Sequence, residues 1–531
     1  MVAPRKKRQT TFSRWWLILL LLPIAGVGLG LWFGWSRQQV VNLDYVATLL
    51  PQTTEVLCTV DMTPQAWSFV HKSVAPSARE VLAKSLDRLP VMRMVQQAGL
   101  DWQRHVQPWS RGMVGLALLG SSQDESTAVA VLIPAQSTAG AKDFIRRYQG
   151  SWSQSEERSY EGIIYQQNSN PDRSEVVALV KDAVVIASHP QALFQIIDVA
   201  QNRQPALAAL AVWQSSSSLK LQTETTDRLL LHGLVRQNTN LFADKTRLKE
   251  PEAFSFALTT LPQGLHVKFQ TYFRNPLPPI SDRESKLVAL LPAQTFFYVS
   301  GWQLRESWLF FTNVFADQTK ITEWRNSLLS EAGLDLEQDV FGWMQGEWGI
   351  AGIPTQTGVL GKTTGFGLVF LAEGGRQASQ RFFEQLDNLA VNSQGGLLPK
   401  GVTLQGKNDR TLWLVGKSVA ASHGAVGGYN FWAMGELGDQ IKFNNSLLSD
   451  AKWQRSVAGL PQTNGGYFYL DMGVARALFS NNIAPPEWQA QDWFKETMAI
   501  LNSIDAITFT QTRVDDRTTR LEGQIILSPV S

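Results

Sequence analysis

The chain has 531 residues, 44% of them hydrophobic and 18% charged, with a formal charge of +2, one cysteine and six histidines. That length can hold two or three domains with proper cores, and the composition is too hydrophobic and too weakly charged for disorder. The lone Cys58 excludes a disulfide framework and a thiolate zinc site, and the small net charge leaves no nucleic-acid footprint.

The first element is apolar. Residues 15–35 read WWLILLLLPIAGVGLGLWFGW without a charge. As a helix the stretch is about 31 Å long, against a hydrocarbon core of about 30 Å. Trp15 and Trp16 stand at one end and Trp32 and Trp35 at the other, where indoles prefer the headgroup interface. Arg5, Lys6, Lys7, Arg8 and Arg14 precede it, and Arg37 alone follows closely. The positive-inside rule then makes 1–14 a basic cytoplasmic N-terminus and 15–35 a transmembrane signal-anchor, with the body on the far side. A cleaved signal peptide has an apolar run of about 7–15 residues before a small-x-small site. This run is longer, ends in Trp-Phe-Gly-Trp, and is closed by no cysteine that could carry a lipid. Six of the 48 Lys/Arg lie before residue 38, with no Asp or Glu, so the body carries 42 basic against 46 acidic residues, a net of −4.

The body is expected to contain an internal repeat. Leu49-Leu50-Pro51-Gln52 and a β-rich run recur as Leu290-Leu291-Pro292-Ala293 and TFFYVSGW. Gly99-Leu100-Asp101 recurs as Gly333-Leu334-Asp335, each followed eight residues after the Asp by a tryptophan, Trp109 and Trp343. A strand-like run comes next in both, MVGLALLG and EWGIAGIP, then a second apolar strand and an amphipathic helix. On those helices Phe144, Ile145 and Tyr148 correspond to Phe382, Phe383 and Leu386. Val176–Val180 and Val184–Ala187 around Lys181-Asp182 predict a hairpin, with a Gly-rich counterpart expected between Tyr429 and Phe443. Alternating Phe254, Phe256 and Leu258, the turn Pro262-Gln263-Gly264, and Leu265, Val267 and Phe269 predict a long hairpin. Ile507 and Phe509, the turn at Asp515-Asp516, and Leu521, Ile525 and Leu527 predict a second. Ser151–Ser159, Gln214–Ser218 and Ser418–Gly428, polar or rich in small residues, are expected as loops.

These elements predict an α+β fold: a transmembrane helix, then two tandem repeat domains, 38–280 and 285–531, with mostly antiparallel sheets and packed helices. Asn275-Pro276-Leu277-Pro278-Pro279 would join them stiffly.

Motifs that could carry chemistry have bland alternatives. The two Gly-Leu-Asp motifs fit left-handed glycines ending a helix, with each Asp capping the next, better than paired site carboxylates. Glu331, Asp335, Glu337 and Asp339 fail the calcium-loop pattern, since Val340 and Gly346 fall where Gly and Glu are needed. Gly361-Lys362-Thr363 lacks the first glycine of a phosphate loop, having Gln356 there. No histidine pair has metal-ligand spacing, and no G-x-S-x-G elbow is present, so no cofactor and no metal are expected. Nineteen tryptophans are the compositional outlier. Trp109 and Trp343 are expected in the core, and Trp302, Trp308, Trp488 and Trp493 are candidates for an interaction surface.

The LLP strand of Leu49–Pro51, Gly99–Asp101 with Trp109, and the strand-to-helix turn Val184–Leu193 together resemble a bacterial family. It is the uncharacterised domain of unknown function 3352, in its membrane-anchored cyanobacterial type. Copy two departs at the last motif, with Phe443-Asn444-Asn445 where copy one has Ser188-His189-Pro190. Copy one has Ser110-Arg111-Gly112 in place of a glycine pair after its Trp. The resemblance implies no activity, cofactor or catalytic residue; it implies a host whose exported compartments are periplasm and thylakoid lumen. The expected function is a non-enzymatic binding, scaffold or assembly-assisting protein. It would be anchored in the inner or thylakoid membrane, with envelope or thylakoid membrane proteins as partners and no nucleic acid. The alternatives are an exported hydrolase with a triad dispersed in sequence, or a module binding a lipid or other apolar ligand. A hydrolase needs Ser, His and carboxylate within hydrogen-bond reach in a cleft, and a lipid module needs an enclosed apolar cavity of several hundred Å3.

Overall fold

The computed structural model describes residues 44–86, 90–120, 128–170, 174–217, 228–236, 251–277, 282–308, 318–393, 399–407, 409–441 and 445–528. The 15–35 segment with Trp15, Trp16, Trp32 and Trp35, and the basic Arg5, Lys6, Lys7, Arg8 and Arg14, lie outside them. Among the described residues no helix is long and apolar enough to cross a membrane.

Twenty strands form one sheet. The first ten are β1 Thr54–Asp61, β2 Met113–Leu119, β3 Ala128–Pro134, β4 Ser155–Tyr160, β5 Ile163–Asn168, β6 Val176–Val180, β7 Ala183–Ala187, β8 Leu229–Arg236, β9 Pro251–Leu261 and β10 Gly264–Phe273. The others are β11 Phe297–Trp302, β12 Glu347–Pro354, β13 Phe366–Glu373, β14 Val402–Lys407, β15 Arg410–Val415, β16 Ser418–Val426, β17 Tyr429–Met434, β18 Tyr467–Asp471, β19 Ile504–Asp515 and β20 Thr518–Leu527. Every pairing is antiparallel. Outward from the central pair β10–β20, the order is 9, 8, 1, 2, 3, 7, 6, 5, 4 on one side. On the other it is 19, 18, 11, 12, 13, 17, 16, 15, 14. The fold is thus mixed α/β with a large antiparallel sheet.

Local chemistry accounts for the hairpins. Leu261 pairs with Gly264 across the two-residue turn Pro262-Gln263, as the alternating pattern predicts. Val180 pairs with Ala183 across Lys181-Asp182, with Lys181 at φ +52°. In the second half the corresponding hairpin is not between Tyr429 and Phe443 but between β16 and β17. Its turn is Gly427-Gly428, at φ +57° and +88°, the backbone a type I′ turn demands.

Three expected loops are regular structure. Within Ser151–Ser159, β4 is an outermost strand exposed on both faces, and its polar sequence accordingly carries no alternation. Gln214 to Ser217 belong to the helix Ala211–Ser217, where Ser216 is buried and its hydroxyl donates to Trp213 O at 2.6 Å. Ser418–Gly428 is mostly β16, whose small residues Ala421 and Ser422 are buried.

The segments 38–280 and 285–531 share a core. One apolar cluster joins Trp67, Val131, Phe144 and Leu265 from the first to Met472, Ile504 and Ile525 from the second. The helix Asp492–Leu501 packs on the helix Pro76–Leu86. Two further clusters lie on the other face of the sheet, one beneath the helix Pro190–Ala200 and one around Tyr298, Trp453 and Tyr469. Where β10 meets β20 that face is polar but buried: Lys268, Gln270, Glu522 and Gln524 lie there. Burial alone would raise the Glu522 carboxyl, but His266 at 3.5 Å, Lys268 at 4.0 Å and Arg520 at 3.4 Å hold it below the ordinary glutamate range. The described end of the linker is tied down as well. Leu277 N–H donates to Asp516 O at 2.8 Å, and its carbonyl accepts from Arg513 Nη2 at 2.8 Å.

Candidate functional site

The two Gly-Leu-Asp motifs have the same construction. Gly99 and Gly333 adopt φ +68° and +62°, the left-handed backbone that favours glycine. Asp101 caps the helix Trp102–His105 by accepting from Arg104 N at 2.9 Å. Asp335 caps the turn Leu336–Val340 by accepting from Glu337 N at 2.8 Å and Gln338 N at 3.1 Å. Leu334 is buried and Leu100 half-buried. Each indole then locks the turn: Trp109 Nε1 donates to His105 O at 2.5 Å and Trp343 Nε1 to Asp339 O at 3.0 Å. Trp109 lies 5.3 Å from Phe144 and Trp343 5.7 Å from Phe382, between ring centroids. Each aspartate is therefore committed to a helix start. Asp101→Ala and Asp335→Ala should each cost about 1 kcal/mol in denaturant unfolding, with Asn at either place largely neutral. Unchanged stability in the alanine variants would contradict the capping role.

The neighbouring acidic residues are committed in the same way. Asp339 Oδ2 accepts from Asp335 N at 2.8 Å, and Glu337 pairs with Arg305 at 2.8 Å. Among the described residues no group of three His, Cys, Asp or Glu gathers as metal ligands. Cys58 is half-buried on β1, where burial pushes its thiol up to about 12.

The four candidate tryptophans separate into two pairs. Trp302 is not available to a partner: it is 9% exposed, its Nε1 donates to Asn464 O at 2.9 Å, and the Arg283 guanidinium lies 5.4 Å from its ring. A short ladder of Arg283–Glu284 with Thr463–Asn464 covers it. Trp308 is half-buried, 6.2 Å from Phe341. Trp488 and Trp493 are 47% and 53% exposed, with their rings 6.0 Å apart and edge to face. They stand on the short helix Pro486–Gln489 and on Asp492–Leu501. These belong to an excursion of the chain between β18 and β19, within which Phe494 stacks on Phe479 and meets Trp493 edge-on at 5.7 Å.

Below the excursion lies an apolar cavity of about 320 Å3, lined by Phe296, Phe366, Met472, Leu478, Phe479 and Met498 among others. Arg476 lines it too. Its Nη1 is spent on the carbonyls of Leu501 and Ile504 at the end of the helix Asp492–Leu501.

Sequence reasoning missed a second place. Between the helix Arg376–Val391 and strands β14 to β17 lies a polar cleft of about 550 Å3. His423 Nε2 is 2.9 Å from Asp387 Oδ1, which also accepts from Trp413 Nε1 at 2.6 Å. The Phe383 ring lies flat on the imidazole, 4.5 Å between centroids and 1° between planes. Ser379 also lines the cleft, but its hydroxyl donates to Asn430 Oδ1 at 2.9 Å. Among the described residues no serine bonds to His423, so a triad is not assembled there. Asp387 and His423 are 36 residues apart and on different elements, so no spacing rule finds them.

The described chain is thus an α+β protein on one twenty-stranded antiparallel sheet, with an aromatic excursion and a polar cleft on its outside. It belongs to the family DUF3352, "Protein of unknown function", whose profile matches residues 16–528. Nothing among curated protein sequences matches it. Among solved structures, crystal form III of TP0453 is similar with a TM-score of 0.27 at 8% identity, over 46% of this chain and 84% of that one. Crystal form I of TP0453 gives 0.27 and 9%, over 46% and 83%. At that TM-score the likeness carries no argument.

Proposed function

We propose that this chain is a single-pass, membrane-anchored protein of the periplasm or thylakoid lumen, that its body is two tandem copies of one unit, and that it binds or helps assemble other envelope or thylakoid proteins without catalysis. The tandem reading draws on the matched strand order on either side of β10–β20 and on the shared build of the two Gly-Leu-Asp turns. The anchor reading draws on the apolar stretch, and the family match takes it in from residue 16.

The observation that carries the binding role is the Trp488–Trp493 pair. Two indoles about half exposed and in contact with one another form an apolar patch of the kind that marks docking surfaces. The excursion that bears them packs onto the body through the helix Asp492–Leu501, which lies against the helix Pro76–Leu86. The test is gentle solubilisation of full-length protein from its native membrane, beside the Trp488→Ala/Trp493→Ala variant. A stoichiometric protein partner is expected with the parent and lost with the variant. Equal recovery from both would sink the reading.

A second reading has its own support. The cavity of about 320 Å3 under the excursion has the size and lining expected of a site for an apolar ligand. Native mass spectrometry of the gently solubilised protein would find a bound lipid if that reading holds, and bare protein if it does not.

A further inference from the structure

The two halves differ sharply at one place, and this step rests on reading them as copies. Gly115 and Gly349 hold the same place after Trp109 and Trp343. The ladder from Gly115 runs to Leu132, Val185 and Ala178. The ladder from Gly349 runs to Leu371, Phe431 and Gly424. One residue earlier on the last strand of each stand Val177 and His423. Val177 is wholly buried and belongs to the apolar core with Phe144. The architecture therefore builds this position with a valine, and the His–Asp pair in the second half is not a requirement of the fold.

The pair is built to present one atom. A carboxylate only accepts, so Nε2 of His423 carries the hydrogen that meets Asp387. With the ring neutral, Nδ1 is a lone-pair acceptor, and no described residue bonds to it. Phe383 and Trp413 fix the ring plane and the carboxylate. Of the charges lining the cleft, Asp387 is held by His423 and Trp413, and Arg410 by Asp439 at 2.7 Å; the others are Glu384, Asp409 and Lys407, with no cluster of positive charge to select an anion. Half of the lining is polar and half apolar, a mixture suited to a ligand with both hydroxyls and C–H faces.

We propose that this cleft binds a small, neutral, hydroxyl-rich ligand of the saccharide class, and that His423 Nδ1 accepts a hydrogen bond from one of its hydroxyls. Asp387 is the positioning residue that fixes the tautomer. The test is calorimetric titration of the full-length protein with maltose and with N-acetylglucosamine, alongside the 15N shifts of its histidines. At least one saccharide should bind in the millimolar range and move the Nδ1 signal of His423. The His423→Val variant copies the residue at the matching place in the first half, so it should fold. It should bind about tenfold more weakly, the worth of one hydrogen bond. The Trp488→Ala/Trp493→Ala variant should bind as the parent does, so failure of the docking reading would leave this result standing. No binding of either sugar, equal affinity in His423→Val, or tight Zn2+ uptake that displaces the sugar would each overturn the proposal.

Discussion

Truncating Trp453 to alanine should cost about 3–5 kcal/mol of unfolding free energy, and truncating Trp213 should cost a similar amount. Trp453 is 3% exposed and packs edge-on against Tyr298, Tyr467 and Tyr469, with centroids 5.1 to 6.1 Å away. Its helix, Ala451–Val457, is capped by Asp450, which accepts from Trp453 N at 2.7 Å. Ser456 donates back to Trp453 O at 2.8 Å, as Ser216 does to Trp213 O. Trp213 is 2% exposed and meets His232 edge-on at 4.8 Å. Each indole fills the space between a short helix and the sheet, so its loss leaves a cavity that stiff β-structure cannot close. Denaturant unfolding followed by circular dichroism is the measurement. Trp488→Ala is the control, since a half-exposed ring should change stability by no more than about 0.5 kcal/mol. A Trp453 variant as stable as that control would contradict the packing described.

Glu347 is the second place where one side chain matters greatly. It is 1% exposed, yet its carboxylate accepts from Lys286 N at 3.0 Å, Leu287 N at 3.3 Å, Tyr429 Oη at 2.8 Å and the Ser285 hydroxyl. It thereby caps the turn Leu287–Ala289 at the entry to the second half and fastens it to β12 and β17. Burial and the neighbouring carboxylate push the Tyr429 phenol far above its ordinary range, so it remains a donor throughout the working pH range. Glu347→Ala would strand four donors, and about 3 kcal/mol or more of stability should go with it. Glu347→Gln, which keeps one acceptor oxygen but turns an amide toward the other donors, should fall between. Hydrogen exchange would show whether the loss begins at Lys286 and Leu287. Unchanged protection of those amides in the alanine variant would refute the role.

What could be read in the sequence follows from how local each interaction is. The Gly-Leu-Asp turns were legible because a left-handed glycine, a cap and an indole bonded four residues back all act within a dozen residues. The long hairpins were legible because β9, β10, β19 and β20 alternate around two-residue turns. β4 was hidden, since a strand with both faces wet has no period to detect. The burial of Trp302 was hidden for another reason: its cover includes Thr463–Asn464, more than 160 residues away. Asp387 and His423 were hidden alike, as a helix and a strand brought together only by the sheet between them.

The central pairing also bears on how the chain is made. β10 is complete at Phe273, but the strand that covers its outer edge, β20, ends at Leu527 near the C-terminus. At about 5–20 residues per second of synthesis, that edge stays uncovered for roughly 10–50 s. An uncovered strand in a nascent chain invites pairing with whatever passes. A chain cut short anywhere in its second half would keep that edge open for good, so premature termination should yield aggregates rather than a working first half.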